Sequence, residues 1–79
     1  MQLEIISPEK MIFTGSVSSV TLPGASGSFQ ILENHASIIS SLVKGRLSFV
    51  THQNELIELL VEDGFVEKNN NKVTVCLES

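Results

Sequence analysis

Apolar positions in this chain fall in runs of five to seven residues rich in Val, Ile, Leu, Phe and Thr, parted by clusters of Gly, Pro, Asn and Ser. Short strands joined by tight turns leave that spacing, and it predicts an all-β sandwich or barrel with no long helix. Leu3 and Ile5 alternate with Gln2, Glu4 and Ile6 as far as Ser7-Pro8-Glu9-Lys10. Pro8 fixes its own φ and has no N–H for a ladder, so the first strand ends there. Met11 to Thr14 reads as a short apolar piece closed by Gly15. Beyond it Ser18, Val20 and Leu22 share a face from which Val17 is displaced, a pattern that a bulge at Ser18 or Ser19 would reconcile.

Pro23-Gly24-Ala25-Ser26-Gly27 is the strongest turn signal, with one fixed torsion and two residues free to take positive φ. Phe29 and Ile31 then point to one side, and Glu33-Asn34-His35-Ala36-Ser37 forms a second loop. Ile38 to Val43 follows, then a turn at Lys44-Gly45 and a strand in which Leu47, Phe49 and Thr51 share a face. Asn69-Asn70-Asn71 tolerates left-handed backbone and joins Phe65–Lys68 to Val73–Leu77 as a hairpin, with Val73, Val75 and Leu77 turned inward. One segment fits two templates. In Glu55 to Glu62 a helix would gather Leu56, Leu59 and Leu60 against Glu55, Glu58 and Glu62, with Asn54 as N-cap; a strand would set Ile57, Leu59 and Val61 against Leu56, Glu58, Leu60 and Glu62.

Seventy-nine residues form one small domain, since so short a chain cannot supply two cores. The 42% hydrophobic content excludes a disordered chain. A net charge of -4 repels a phosphate backbone, and with no Trp or Tyr the platforms on which unpaired bases stack are lacking, so nucleic acid is not the expected ligand. Cys76 is the single cysteine, so no internal disulfide is expected. The first six residues have neither the charge nor the apolar core of a signal peptide, and no run is long enough to span a bilayer.

Candidate chemistry is sparse. His35 and His52, with Glu33 and Glu55 nearby, match no metal spacing and read as loop residues, so no metal site is expected. The serines lie outside any Gly-x-Ser-x-Gly context, Cys76 has no cationic neighbour in sequence, and Gly24 with Gly27 lacks the Lys and helix of a phosphate cradle. No catalytic residue and no cofactor follow from these positions. Glu58, Glu62, Asp63 and Glu67 read as a solvated acidic face or a stripe matched to a basic partner subunit.

The run Leu22-Pro23-Gly24-Ala25-Ser26-Gly27-Ser28-Phe29-Gln30-Ile31-Leu32-Glu33-Asn34-His35-Ala36 resembles the N-terminal domain of the epsilon chain of F-type ATP synthases, where a Gly-x-x-Gly turn, a short strand and a His-Ala-Pro loop follow in this order. The resemblance continues through Leu42-Val43-Lys44-Gly45-Arg46-Leu47, Asp63-Gly64-Phe65-Val66-Glu67 and Val73-Thr74-Val75-Cys76, from Leu3 to Leu77. It implies a small β-sandwich of about ten short strands and turns Glu55 to Glu62 toward strand. This chain departs from the family pattern at Ser37, which stands for the usual proline, at Ser28, where many relatives carry a carboxylate, and at Asp63, which replaces the first Gly of a pair.

By the same resemblance the chain is a non-catalytic epsilon subunit of the central stalk. It would link the gamma chain to the ring of c subunits and help couple proton or sodium transport to ATP synthesis, peripheral to the cytoplasmic face of a bacterial inner membrane. Ser7, His35, Ala36, Ser37 and Ser40 match positions facing the gamma chain; Gly24, Ala25, Ser26, Gly27 and Ser28 match positions facing the c ring. The family's two-helix C-terminal hairpin has no counterpart within residues 1–79, so neither ATP binding nor helix-mediated inhibition is expected of them. Two other readings stand beside this one. A lipoyl- or biotinyl-like carrier would use Lys68 next to its hairpin, although Phe-Val-Glu-Lys-Asn has neither carrier context, and a generic β-sandwich adaptor would use an exposed strand edge.

Overall fold

The computed structural model describes residues 1–78, and these contain strands and turns without a helix. The strands are β1 (Gln2–Ile6), β2 (Met11–Gly24), β3 (Gly27–Leu32), β4 (Ile38–Leu42), β5 (Gly45–Thr51), β6 (Leu56–Val61), β7 (Gly64–Asn69) and β8 (Lys72–Leu77). Ladder neighbours run β1-β8-β7-β4-β2-β5-β6, with β3 on β2 and a further pairing of β1 with β2 that folds the array onto itself. All pairings are antiparallel except that of β1 with β8. The result is a sandwich: β1, β8, β7, β4 and the first half of β2 face the second half of β2 with β3, β5 and β6.

Eight strands stand where about ten were expected, and β2 accounts for part of the difference. Gly15 does not end a strand; it continues the ladder opposite Leu3. The Phe13 ring lies over it, so that a Cβ there would sit 2.9 Å from the ring. Glycine thus makes room for an aromatic that packs against Phe49 at a centroid distance of 4.4 Å, ring planes inclined at 45°, and joins the two layers. Further on, the register with β5 jumps between Val17 and Ser19, which is the bulge the sequence pattern requires. It lets Val17, Val20 and Leu22 all face the core from one strand that serves both sheets.

The interior is built from Leu3, Ile5, Val17, Val20, Leu22, Ile31, Leu47, Phe49, Val66, Val73 and Val75, all essentially inaccessible to water. The inward row Val73, Val75 and Leu77 is as the alternation predicts. Helical spacing in Glu55–Glu62 does not prevail. Thr51 Oγ1 accepts from the backbone N–H groups of Gln53 and Glu55, 3.3 and 3.2 Å away, and turns the chain back on β5. Six consecutive pairs from Val50–Leu56 to Gly45–Val61 then hold β6 as a strand. Pairing offered by a finished neighbour outweighs local propensity.

Gly64 is the tightest point. It begins β7 between Leu42 and Leu77, and a Cβ on it would collide with the Cys76 carbonyl oxygen. Backbone cannot yield there as a side chain can. Gly64→Ala is expected to cost at least ~2 kcal/mol, seen as a lower urea midpoint, while Gly15→Ala, against a movable ring, costs less. Equal stability of Gly64→Ala and the parent would contradict this packing.

Candidate interaction surfaces

The loop from Glu33 to Ser37 links β3 to β4 and is exposed throughout. Asn34 takes a left-handed φ of 69°, and the His35 N–H donates to the Leu32 carbonyl at 3.2 Å, which together reverse the chain. His35 Nδ1 lies 2.7 Å from the Ala36 carbonyl, so the ring is folded against its own loop.

Two ammonium groups drawn out of water hold this loop. Lys68 is only 3% exposed, and its Nζ donates to the carbonyls of His35 at 2.7 Å and Asn70 at 2.6 Å. The Met1 amino group, likewise buried, donates to the Val17 carbonyl at 3.0 Å and to Glu33 Oε1 at 3.1 Å. Glu33 Oε1 also lies 3.7 Å from His52 Nε2. The hydrogen bond from Met1 and the charge of that ammonium hold the Glu33 carboxyl below its usual range, against the opposing effect of desolvation, and His52 adds the least to the pull. The loop is therefore gripped at Glu33 from one side and at His35 from the other.

Neither grip was singled out as a site from sequence. Lys68 carried a signal: it falls in the inward row of β7 after Gly64 and Val66, opposite Val73. Its burial also removes the carrier reading, because a swinging arm needs its lysine free in solvent. Cys76 is half-buried on the outer side of β8, as its place in the alternation indicates.

The turn Gly24–Ser28 lies at the other end of β3, about 20 Å away at ~3.3 Å per residue. Gly27 has φ 122°, so Ala25 and Ser26 stand out as the tip of the β2–β3 hairpin. This turn borders a shallow groove of about 290 Å³ that Ser40 and Ser41 complete from β4. Ser40 thus sits beside the turn and on the core-side row of β4 with Ile38 and Leu42, rather than beside His35. Ser7 follows β1, and the ladder aligns the end of β1 with Cys76, Phe65 and Ser41, whereas the His35 loop enters β4 at the row of Ile38, Lys68, Val73 and Leu3. Ser7 and His35 therefore mark opposite ends of one four-stranded layer. Between them its outer side shows the row Ser41, Phe65, Cys76 and Ile6, with Ile39 75% exposed nearby. Among the described residues no group of His, Cys, Asp and Glu side chains is arranged to hold a metal ion.

The family model described as the ATP synthase delta/epsilon chain β-sandwich domain matches residues 1–79. The ATP synthase epsilon chain of Chlorobium limicola is 34% identical over 77 residues, which cover 98% of this chain and 88% of that one. That of Desulfatibacillum aliphaticivorans is 36% identical over 77 residues, 98% of this chain but 55% of its own length. The chain thus spans about half the length of some curated relatives it matches. Among solved structures, one of the Euglena gracilis mitochondrial ATP synthase, comprising OSCP, F1 and c-ring, contains a chain superposing with a TM-score of 0.91 at 18% identity, over 98% of this chain and 49% of that one. The central stalk and c-ring of the Tetrahymena thermophila mitochondrial ATP synthase contains another, at 0.82 and 17% identity, over 99% and 63%. At such identities these two likenesses show the fold.

The grip on Glu33 makes a pH prediction. A carboxyl held low in the folded state stabilises the fold above the pKa it has when unfolded, and that contribution disappears as pH falls through the lower folded value. Glu33→Gln should therefore be less stable than the parent at pH 7, and the two urea midpoints should converge as the pH is lowered through and below the ordinary glutamate range. A gap unchanged with pH would show that the ionised carboxyl contributes nothing.

Proposed function

The chain belongs to the ATP synthase delta/epsilon chain β-sandwich family, and on that footing we propose that it is an epsilon-type, non-catalytic subunit of a rotary ATP synthase, seated in the central stalk between a gamma chain and the c ring. The observation that carries the reading is the match of the family model across residues 1–79, together with relatives named ATP synthase epsilon chain that align over 98% of the chain. Such a subunit makes and breaks no bonds. It transmits force through complementary surfaces, helping to couple proton or sodium flow to ATP synthesis at the cytoplasmic face of a bacterial inner membrane.

Two features of the fold support two separate contacts. A partner reaching both Ser7 and the His35-Ala36-Ser37 loop must lie across the layer β4-β7-β8-β1, where Ile39, Phe65, Cys76 and Ile6 offer apolar area that gains by being covered. We assign this side to the gamma chain. Ser40 is carried to the gamma side by the family resemblance alone, since it lies on the core-side row of β4 and its groove opens on the turn. The Gly24-Ala25-Ser26-Gly27-Ser28 turn, at the far end of β3, is assigned to the c ring. A rigid sandwich holds this face and the turn in a fixed relation under load.

Ser28 is neutral where many relatives have a carboxylate, so the c-ring contact should depend little on salt. His35→Asp is expected to weaken binding to purified gamma chain about tenfold or more by placing an unpaired charge at that contact, and Ser28→Lys to lower ATP-driven ion pumping in reconstituted membranes while gamma binding stays near the parent value. If both variants bind and pump like the parent, these loops are not the contacts.

A further inference from the structure

β6 is an edge strand. It pairs with β5 alone, and among the described residues nothing takes up the backbone donors and acceptors on its other side. Folded proteins usually blunt such an edge with Lys, Pro or a bulge, because an open ladder templates further pairing. Leu56–Val61 contains none of these: the six-pair register with β5 is unbroken, and its one charged residue is Glu58.

The strand is also unusually apolar where water reaches it. Leu60 is 80% exposed, Leu56 61% and Ile57 37%, so a six-residue strand holds three of the nine exposed large apolar side chains among the described residues. A shallow groove of about 210 Å³ between Arg46, Glu58, Leu59 and Leu60 opens on the same strand, with room for one aliphatic side chain. Carboxylates frame it: Glu55 precedes the strand, and Glu62 and Asp63 follow it. Against these carboxylates, four with Glu58 included, the adjoining end of β5 brings Arg46, whose Nη1 is 3.8 Å from Glu58, and Lys44, next to Gly45 opposite Val61. In the register centred on β6, a second copy would set Glu55 against Glu62 twice, and like charges placed opposite destabilise a pair. The edge therefore disfavours itself and suits a cationic occupant.

We infer that the free edge of β6 accepts an extended segment of a partner protein in which apolar residues alternate with Lys or Arg, adding one strand to the sheet. Backbone hydrogen bonds to β6 supply the affinity, Leu56 and Leu60 supply the apolar contact, and the flanking carboxylates select the charge. This edge is distinct from the His35 loop and the Gly24–Ser28 turn, so it stands whether or not those are the gamma and c-ring contacts.

The test uses three blocked heptapeptides: alternating Val and Lys, alternating Val and Glu, and the Val/Lys sequence with Pro at its two central Val positions. Amide exchange and chemical shifts of the chain are followed by NMR. The Val/Lys peptide should slow exchange of the outward β6 amides about tenfold or more near saturation, less so as salt is raised, while the other two peptides leave them unchanged. Leu60→Lys, at an exposed position that spares the core, removes an apolar contact and adds a like charge and should abolish the effect of Val/Lys; Glu55→Lys with Glu62→Lys should transfer it to the Val/Glu peptide. Equal response to the proline peptide would mean charge attraction without strand addition and overturn the proposal. Equal response to Val/Glu, no response to Val/Lys, or self-association through β6 without peptide would overturn it as well.

Discussion

An ammonium group removed from water must be handed acceptors, or its burial costs several kcal/mol. Two such groups lie at one end of this sandwich, and their needs shape it. Lys68 Nζ requires the His35 and Asn70 carbonyls, which ties the β3–β4 loop to the β7–β8 hairpin. The Met1 amino group requires Val17 and Glu33, which ties the start of the chain to the bulge in β2 and to the other side of that loop. Hydrogen bonds from a charged donor are worth about 1.5–3 kcal/mol each, more than exposed loop contacts offer.

The opposite end is fixed by strand sharing. β2 pairs with β1, β3, β4 and β5, so the turn at its end inherits its position from nearly every part of the core. Gly24 meets Gly27 across that turn and Leu42 across the seam. Loop and turn are thus held by different means at the two ends of the six-residue strand β3. The same sandwich therefore holds the two in a fixed relation.

Most strands were legible because turn chemistry and alternation agree, as in Val73-Thr74-Val75-Cys76-Leu77 and in the left-handed Asn70 of the preceding turn. The bulge near Ser18 was legible for the same reason: Val17 and Val20 cannot both face inward without it. What escaped was set by contacts distant in sequence. Gly15 looked like a terminator because the ring it accommodates was visible only once Phe13 lay back over its own strand. β6 looked as much like a helix as a strand until β5 stood beside it. The site was harder to read than the fold. The resemblance named the loop residues, yet Lys68 and Glu33, which hold that loop, are ordinary charged residues until the register places one inward and the other beside an amino group. The same register separates Ser7 and Ser40 from His35.

Lys68 clamps the His35 loop from beneath, and amide hydrogen exchange of the parent chain beside Lys68→Met tests this most directly. Methionine keeps the apolar stem and drops the ammonium. Exchange at the His35 amide, which donates to the Leu32 carbonyl, should accelerate by about tenfold or more, while amides of β2 and β5 keep their protection. If Lys68→Met leaves the His35 amide as protected as in the parent, the buried ammonium is not what orders the loop.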